Sequence, residues 1–93
     1  MKYIKVKWIH NFTKEPILFY HEIDNYRNEI RRVEEFRDGH MNYLSDKLSK
    51  GTYPAEKRLP SLEEISNNPE FNLVEINKED FEEIWEKANK QNH

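Results

Sequence analysis

The chain has 93 residues, of which 35% are charged, and its formal net charge is −3. This length fits one domain with a single modest core, and the five phenylalanines, five tyrosines and two tryptophans argue against disorder, since disordered chains are poor in such residues. The absence of cysteine excludes disulfides, thiolate catalysis and cysteine-based zinc sites. Lysines interrupt the apolar residues near the N-terminus and no run approaches the roughly 20 apolar residues of a membrane span, so we expect a cytoplasmic protein without a signal peptide.

The segment Lys2–His10, KYIKVKWIH, is the most strand-like stretch of the chain. Its β-branched and aromatic residues alternate with lysines, and this period of two predicts a strand with one buried and one solvated face. The predicted buried face carries Ile4, Val6 and Trp8, and the predicted solvated face carries Tyr3, Lys5 and Lys7. We expect the remaining elements to pack around this strand.

A second strand is predicted after a turn. The turn covers Asn11–Pro16 and the strand covers Ile17–Asp24, with Pro16 placed before the strand, where no ladder donor is needed. A polar turn over Asp24–Asn28 is predicted to end it.

The next segment, Glu29–Arg37, is compatible with two structures. Its apolar residues lie three apart, which suits a helix. The Asp38-Gly39 pair that follows is a strong hairpin signal. This favours two strands, Glu29–Arg37 and His40–Ser45, and the helix stays as the alternative.

The segment Asp46–Pro60 contains one glycine and two prolines and is predicted to be a loop. After it, Ser61 and Glu64 form a capping-box pattern, which predicts a short helix over Leu62–Asn67. A short strand over Phe71–Ile76 is predicted next.

The strongest helix signal lies near the C-terminus. Asn77 is predicted to cap a helix that extends to Asn89, and its apolar stripe follows the spacing i, i+3, i+4, i+7. The stripe consists of Phe81, Ile84, Trp85 and Ala88. We expect it to pack on the sheet, and we expect residues 90–93 to form a polar tail that frays.

Together these elements predict one α+β domain over residues 1–93. Residues 1–45 form an antiparallel meander of about four strands, and residues 46–60 form a loop. Residues 61–89 form a helix–strand–helix unit, whose strand raises the number of strands to five and whose last helix packs on the sheet.

Four motifs carry a resemblance to a known family: KYIKVKWIH at Lys2–His10, FRDG at Phe36–Gly39, PSLEEI at Pro60–Ile65 and NPEF at Asn68–Phe71. With these motifs, which span nearly the whole chain, the sequence resembles a family of small bacterial domains of unknown function. Some relatives occur near toxin and immunity genes, so the resemblance implies an immunity-like role. It brings no catalytic residues, and Asp46–Pro60 matches the family pattern least.

No catalytic constellation is found, and we expect a protein that is not an enzyme and needs no cofactor. A hairpin of the first two strands would bring His10 near His21 and Glu22, and two histidines with a carboxylate can hold a metal or transfer protons. Neighbours on a strand point to opposite faces, however, so His21 and Glu22 would not converge. We therefore interpret these histidines as surface or strand-end residues and assign no catalytic, cofactor or metal site.

Nucleic-acid binding is the alternative function. Tyr3, Lys5 and Lys7 alternate on the predicted solvated face, where aromatic and basic side chains can stack with bases and neutralise phosphates. Three arginines lie nearby in sequence, at Arg31, Arg32 and Arg37. The sequence pI of about 5.8 is low for a nucleic-acid-binding domain, which makes this function the less favoured one.

The distribution of charge favours protein binding. Residues 1–60 carry 12 Lys and Arg against 9 Asp and Glu, whereas residues 61–93 carry 3 against 9. Four glutamates with helical spacing lie opposite the apolar stripe of the last helix: Glu79, Glu82, Glu83 and Glu86. We predict that this acidic face docks a basic protein, such as the nucleic-acid-binding cleft of a nuclease toxin, because complementary charge raises association rates. The alternative interpretation is an ordinary solvated helix face.

Overall fold

The structure, a computed structural model, describes residues 1–46, 49–52 and 59–91, with the backbone alone at 49 and 50. Within these residues the chain forms eight elements: β1 (Lys2–Trp8), β2 (Leu18–Ile23), β3 (Glu29–Glu35), β4 (Met41–Leu44), β5 (Ser49–Lys50), α1 (Leu62–Asn67), β6 (Phe71–Ile76) and α2 (Lys78–Gln91). The predicted α+β fold is confirmed. The sheet also contains β5, which lies in the segment predicted to be a loop, and residues 47–48 and 53–58 of that segment lie outside the described residues.

The described strands form one antiparallel sheet with the order β5-β4-β3-β2-β1-β6. The first four strands form the predicted meander, and Glu29–Glu35 is a strand rather than the alternative helix. In the turn between β3 and β4, Gly39 has a φ of +94°, which glycine adopts without steric cost. Strand β6 returns to pair with β1, so the N-terminal strand lies between β2 and β6.

Helix α2 packs on the face of the sheet that carries Tyr3, a face that the sequence predicted to be solvated. The core on this side consists of Tyr20, Val33, Met41, Tyr43, Phe81 and Ala88, and Tyr3, Leu18, Ile76, Ile84 and Trp85 pack against it. The prediction of a solvated face was wrong for Tyr3 and Lys5, which are half-buried, while Lys7 is exposed. The reason is that the apolar stripe of α2 is buried against this face of the sheet, so the helix shields these side chains from water.

The opposite face of the sheet is also buried. Ile4 and Val6 are 0% and 4% exposed, as predicted, and Ile23 of β2 is 1% exposed. Trp8, the third residue predicted for this face, is half-buried at the end of β1. Burying a large apolar side chain contributes roughly 1.5–3 kcal/mol, so both faces stabilise the fold.

Both helices begin at the predicted caps. The Ser61 hydroxyl accepts the Glu64 N–H at 3.1 Å, and Asn77 Oδ1 accepts the Asp80 N–H at 2.8 Å. These contacts satisfy amides that the first helical turn leaves without a partner, and each contributes about 1 kcal/mol.

Helix α2 extends to Gln91, two residues beyond the predicted end at Asn89. The Gln91 side chain explains the extension, because its Oε1 accepts the Met41 N–H at 2.9 Å and its Nε2 donates to the Gly39 carbonyl at 3.1 Å. The predicted fraying tail is therefore wrong for the residues up to Gln91, which are tied to β4 and the preceding turn; residues 92–93 lie outside the described residues.

Candidate binding surface at the end of the sheet

Arg31 in β3 organises an ion network beneath α2. Its guanidinium binds the Glu22 carboxylate through two contacts, Nε to Oε1 at 2.7 Å and Nη2 to Oε2 at 2.9 Å. It also donates to Glu82 of α2 and lies 4.8 and 5.1 Å from the ring centroids of Phe81 and Trp85. Glu82, one of the four glutamates of the predicted partner-binding face, is thus directed toward the sheet.

The network shifts the pKa of its members. Hydrogen bonds from Arg31 hold the pKa of Glu22 and the pKa of Glu82 below the usual 4.5, against the opposing effect of desolvation. The hydrogen bond to Glu22 raises the pKa of Arg31. Burial, followed by the hydrogen bond with Glu22, raises the pKa of Tyr3.

Because the pKa values of Glu22 and Glu82 are lowered in the folded chain, the stability of the fold depends on pH in the acidic range. A carboxyl with a lower pKa in the folded chain stabilises the fold above the unfolded pKa, and this contribution is lost as the pH falls through the folded pKa. We expect the free energy of unfolding to decrease below about pH 4.5, and to decrease less in Glu82→Gln. Urea unfolding between neutral pH and pH 3 measures this, with Glu79→Gln as a control at an exposed position. Identical pH profiles for the wild type and Glu82→Gln would contradict the assignment.

The other three glutamates of the predicted acidic face lie on the outer side of α2. Glu79, Glu83 and Glu86 are all exposed. Glu86 pairs with Lys90 at 3.1 Å, whereas Glu79 and Glu83 form no ion pair with any residue that the structure describes. The acidic face therefore retains three outward carboxylates, of which two have no ion-pair partner within the described part of the chain.

The two histidines considered for a metal or proton-transfer site do not come together. His21 Nδ1 lies 2.6 Å from Glu29 Oε2, and Glu22 points to the opposite face of the sheet. His10 Nε2 lies 2.7 Å from the carbonyl of Pro16. Across residues 1–46, 49–52 and 59–91 no group of three or more His, Asp or Glu could hold a metal ion.

The basic and aromatic surface of the nucleic-acid alternative is not assembled. Arg31 lies beneath α2, and Arg32 lies on the other face, where it donates to Glu29 at 3.0 Å and Thr52 at 2.7 Å. Only Arg37 is exposed, at the end of the sheet. The three arginines therefore lie in three different places: beneath α2, on the opposite face and at the end of the sheet.

A row of aromatic rings lies where β1 leads into β2, and the sequence analysis did not identify it. We call Trp8, His10 and Phe12 the aromatic tip. The ring centroids of Trp8 and His10 are 4.1 Å apart, and those of His10 and Phe12 are 5.2 Å apart. Trp8 also contacts Phe19 and Phe71 of the sheet, at 6.2 and 6.4 Å between centroids. The row thus extends from the sheet to Phe12, whose side chain is 59% exposed.

The backbone around Phe12 is held in place by two side chains. The Phe12 N–H donates to His10 Nδ1 at 2.9 Å, so in the neutral ring the proton lies on Nε2, which donates to Pro16. Arg37 Nη2 donates to the carbonyls of His10 and Phe12 at 2.8 and 3.3 Å. The backbone that carries this exposed ring therefore has little conformational entropy left to lose when the ring is covered.

The sequence contains one signal for this surface. Phe12 is an aromatic residue in the segment Asn11–Pro16, which is otherwise polar and was predicted as a turn. Phenylalanine is not a typical turn residue, and no position of this segment was predicted to lie in the core. What distinguishes Phe12 from other exposed side chains is that its ring adjoins those of Trp8 and His10, with centroids 6.0 and 5.2 Å away.

Comparisons with known proteins identify a family but no function. A family model described as a domain of unknown function matches residues 2–90, from the start of β1 into the last turn of α2. No curated protein and no solved structure matches the chain. Among the described residues, no helix has both the length and the apolar character needed to cross a membrane.

Proposed function

The chain belongs to the DUF6881 family of domains, whose function is unknown, so we propose a role from its own surface. We propose that it is a non-enzymatic protein-binding domain and that it docks through the aromatic tip. The observation that carries this proposal is Phe12, which is 59% exposed although its backbone is fixed by His10 and Arg37. Aromatic side chains at the centre of an interface supply much of the binding energy. A pre-organised, exposed phenylalanine is therefore suited to be such an anchor.

Covering Phe12 is expected to contribute substantially to the free energy of binding. Fully burying a large apolar side chain contributes roughly 1.5–3 kcal/mol, and Phe12, which is 59% exposed, contributes the corresponding part of this when a partner covers it. This end of the sheet thus presents apolar surface that one partner could cover.

The test compares two exposed aromatic residues. Phe12→Ser should weaken capture of a partner by at least about tenfold, because the anchor is lost. Tyr26→Ser is the matched control, since Tyr26 is 69% exposed on the turn between β2 and β3. The immobilised wild type and both variants are incubated with lysate of the source organism, and retained proteins are quantified by mass spectrometry. A partner that is retained equally by Phe12→Ser, or lost equally with Tyr26→Ser, would exclude the aromatic tip as the docking surface.

The outer face of α2 is a second candidate, favoured by the exposed carboxylates of Glu79 and Glu83, which form no ion pair with a described residue. The partner that we propose for this face is a basic protein, such as a nuclease toxin, which would make the domain a bacterial immunity-like factor. A chain without cysteines suits the reducing cytoplasm, where such a factor would act. Complementary charge on this face would mainly raise the association rate.

Charge reversal tests the second candidate. The variant with Glu79→Lys and Glu83→Lys should lose a basic partner and remain folded, because changes at exposed positions usually alter stability by less than about 0.5 kcal/mol each. A control with Glu63→Lys and Glu70→Lys makes the same change in net charge at exposed positions outside α2. If the control loses the partner to the same extent, overall charge rather than the face of α2 is responsible.

A further inference from the structure

A groove beside the aromatic tip contains basic side chains. It lies between the loop after β1 and the turn after β3 and has a volume of about 360 Å³. Its lining consists of Thr13, Lys14, Phe36, Arg37, Asp38 and His40. It adjoins Phe12 directly, because the Arg37 guanidinium in its wall donates to the Phe12 carbonyl.

Two cations of the groove have no carboxylate partner among the residues that the structure describes. Arg37 donates to the carbonyls of His10 and Phe12, which fix the guanidinium but do not neutralise its charge. Lys14 is exposed, and neither cation forms an ion pair with a described residue. The charge of both side chains is therefore available to a ligand.

The carboxylate in the lining, that of Asp38, already contacts the backbone N–H and the ring of His40. Asp38 Oδ1 accepts the His40 N–H at 3.0 Å and lies 2.5 Å from His40 Nδ1. The backbone hydrogen bond, followed by the ring contact, holds the pKa of Asp38 below its usual range. The His40 ring in turn stacks on Phe36, with centroids 4.1 Å apart. Asp38 is thus held on the turn, and the groove keeps a net positive charge.

We propose that this groove receives acidic side chains of the protein that docks on the aromatic tip, an inference that rests on the proposed function. The matching partner segment carries an apolar side chain for Phe12 flanked by Asp or Glu for Lys14 and Arg37. A nucleic acid is the less suitable anion, because it would extend beyond the groove over a chain whose net charge is −3.

Two synthetic peptides separate the groove from the apolar anchor. Hexaglutamate probes the cations alone, and Glu-Glu-Leu-Leu-Glu-Glu adds an apolar centre. In ¹⁵N nuclear magnetic resonance titrations, both peptides should shift the amides of Thr13 and Lys14, and added salt should weaken both. The double substitution Lys14→Gln and Arg37→Gln should weaken the affinity for both peptides about three- to tenfold, as expected for the loss of exposed ion pairs.

A matched control lies at the other end of the sheet, where a groove of about 220 Å³ also contains one lysine and one arginine, Lys2 and Arg27. Replacing both of these by Gln should leave peptide binding unchanged. Equal weakening in this control, or no weakening with Lys14→Gln and Arg37→Gln, would overturn the groove. Tighter binding of an oligothymidine than of hexaglutamate to the same amides would overturn the acidic-protein assignment.

The same titrations distinguish the two proposals. Phe12→Ser should abolish the advantage of the leucine peptide over hexaglutamate and leave hexaglutamate binding intact. If the leucine peptide has no advantage in the wild type, the apolar anchor and the proposed function fail, while the anion groove stands. If hexaglutamate binding does not depend on Lys14 or Arg37, while in the wild type the leucine peptide binds more tightly than hexaglutamate and loses this advantage in Phe12→Ser, the groove fails and the proposed function stands.

Discussion

Arg31→Met is expected to destabilise the domain by about 3–5 kcal/mol, because it leaves a buried carboxylate without its partner. The Glu22 side chain is 9% exposed and the Arg31 side chain is 17% exposed. The substitution also removes the link from β3 to Glu82 and the packing of the guanidinium on Phe81. Small domains have a total stability of about 5–15 kcal/mol, so urea unfolding at neutral pH should show a large decrease in the midpoint.

A second variant shows whether the loss comes from the unpaired charge. Combining Arg31→Met with Glu22→Gln removes both charges and should recover much of the stability, since an apolar or neutral replacement of a whole buried pair is often tolerated. Arg27→Met, at an exposed arginine, serves as the control for the loss of a cation. An Arg31→Met variant within about 1 kcal/mol of the wild type would contradict a structural role for the network.

Phe81→Ala is expected to cost about 3–5 kcal/mol, as for other large-to-small changes in a core. Phe81 is 0% exposed, and its ring centroid lies 5.5 Å from that of Tyr3 and 6.5 Å from that of Trp85. It joins α2 to β1, so its truncation removes contacts on both sides and leaves a cavity. Thermal and urea unfolding should both register the loss.

The half-buried Ile84 of the same helix provides the comparison. Ile84→Ala should cost less than Phe81→Ala, because part of its side chain is already in contact with water. Equal losses of unfolding free energy in the two variants would indicate that Phe81 does not anchor α2 to the sheet. Phe81→Leu, which keeps most of the volume, should lie between the wild type and Phe81→Ala.

Most of the fold could be predicted because its signals are local. The caps at Ser61 and Asn77 and the Asp38-Gly39 turn each act within a few residues, and alternation is visible within a single strand. Helix α1 and strand β6 have the predicted bounds, Leu62–Asn67 and Phe71–Ile76. Short-range chemistry therefore determined where these elements begin and end.

The packing of α2 could not be predicted from such signals. Lys5 marked its face of β1 as solvated, yet its Nζ lies 5.9 Å from the centroid of the Tyr20 ring. A lysine can lay its aliphatic chain on apolar surface and keep its charge near water, so it does not exclude a covering helix. The pairing of Glu82 with Arg31 joins residues 51 positions apart, and helical spacing alone placed Glu82 with its exposed neighbours.

The candidate surface was missed for a related reason. The role of Phe12 depends on His10 within its own loop and on Arg37, which lies 25 positions away in sequence. Neither contact follows from a periodic pattern. Exposure of an apolar ring becomes informative only when the contacts that keep it in place are known.

The position of β1 has a consequence for synthesis on the ribosome. Tyr3 pairs with Glu22 on one side and with Ile76 on the other, so one of its two neighbours is translated only after strands β2 to β5 and helix α1. Until then the nascent meander has β1 as an open edge and lacks the helix that covers one face of the core. Open edges and uncovered apolar surface are what chaperones bind and what drives aggregation. The native sheet is thus completed only when β6 and α2 have left the exit tunnel.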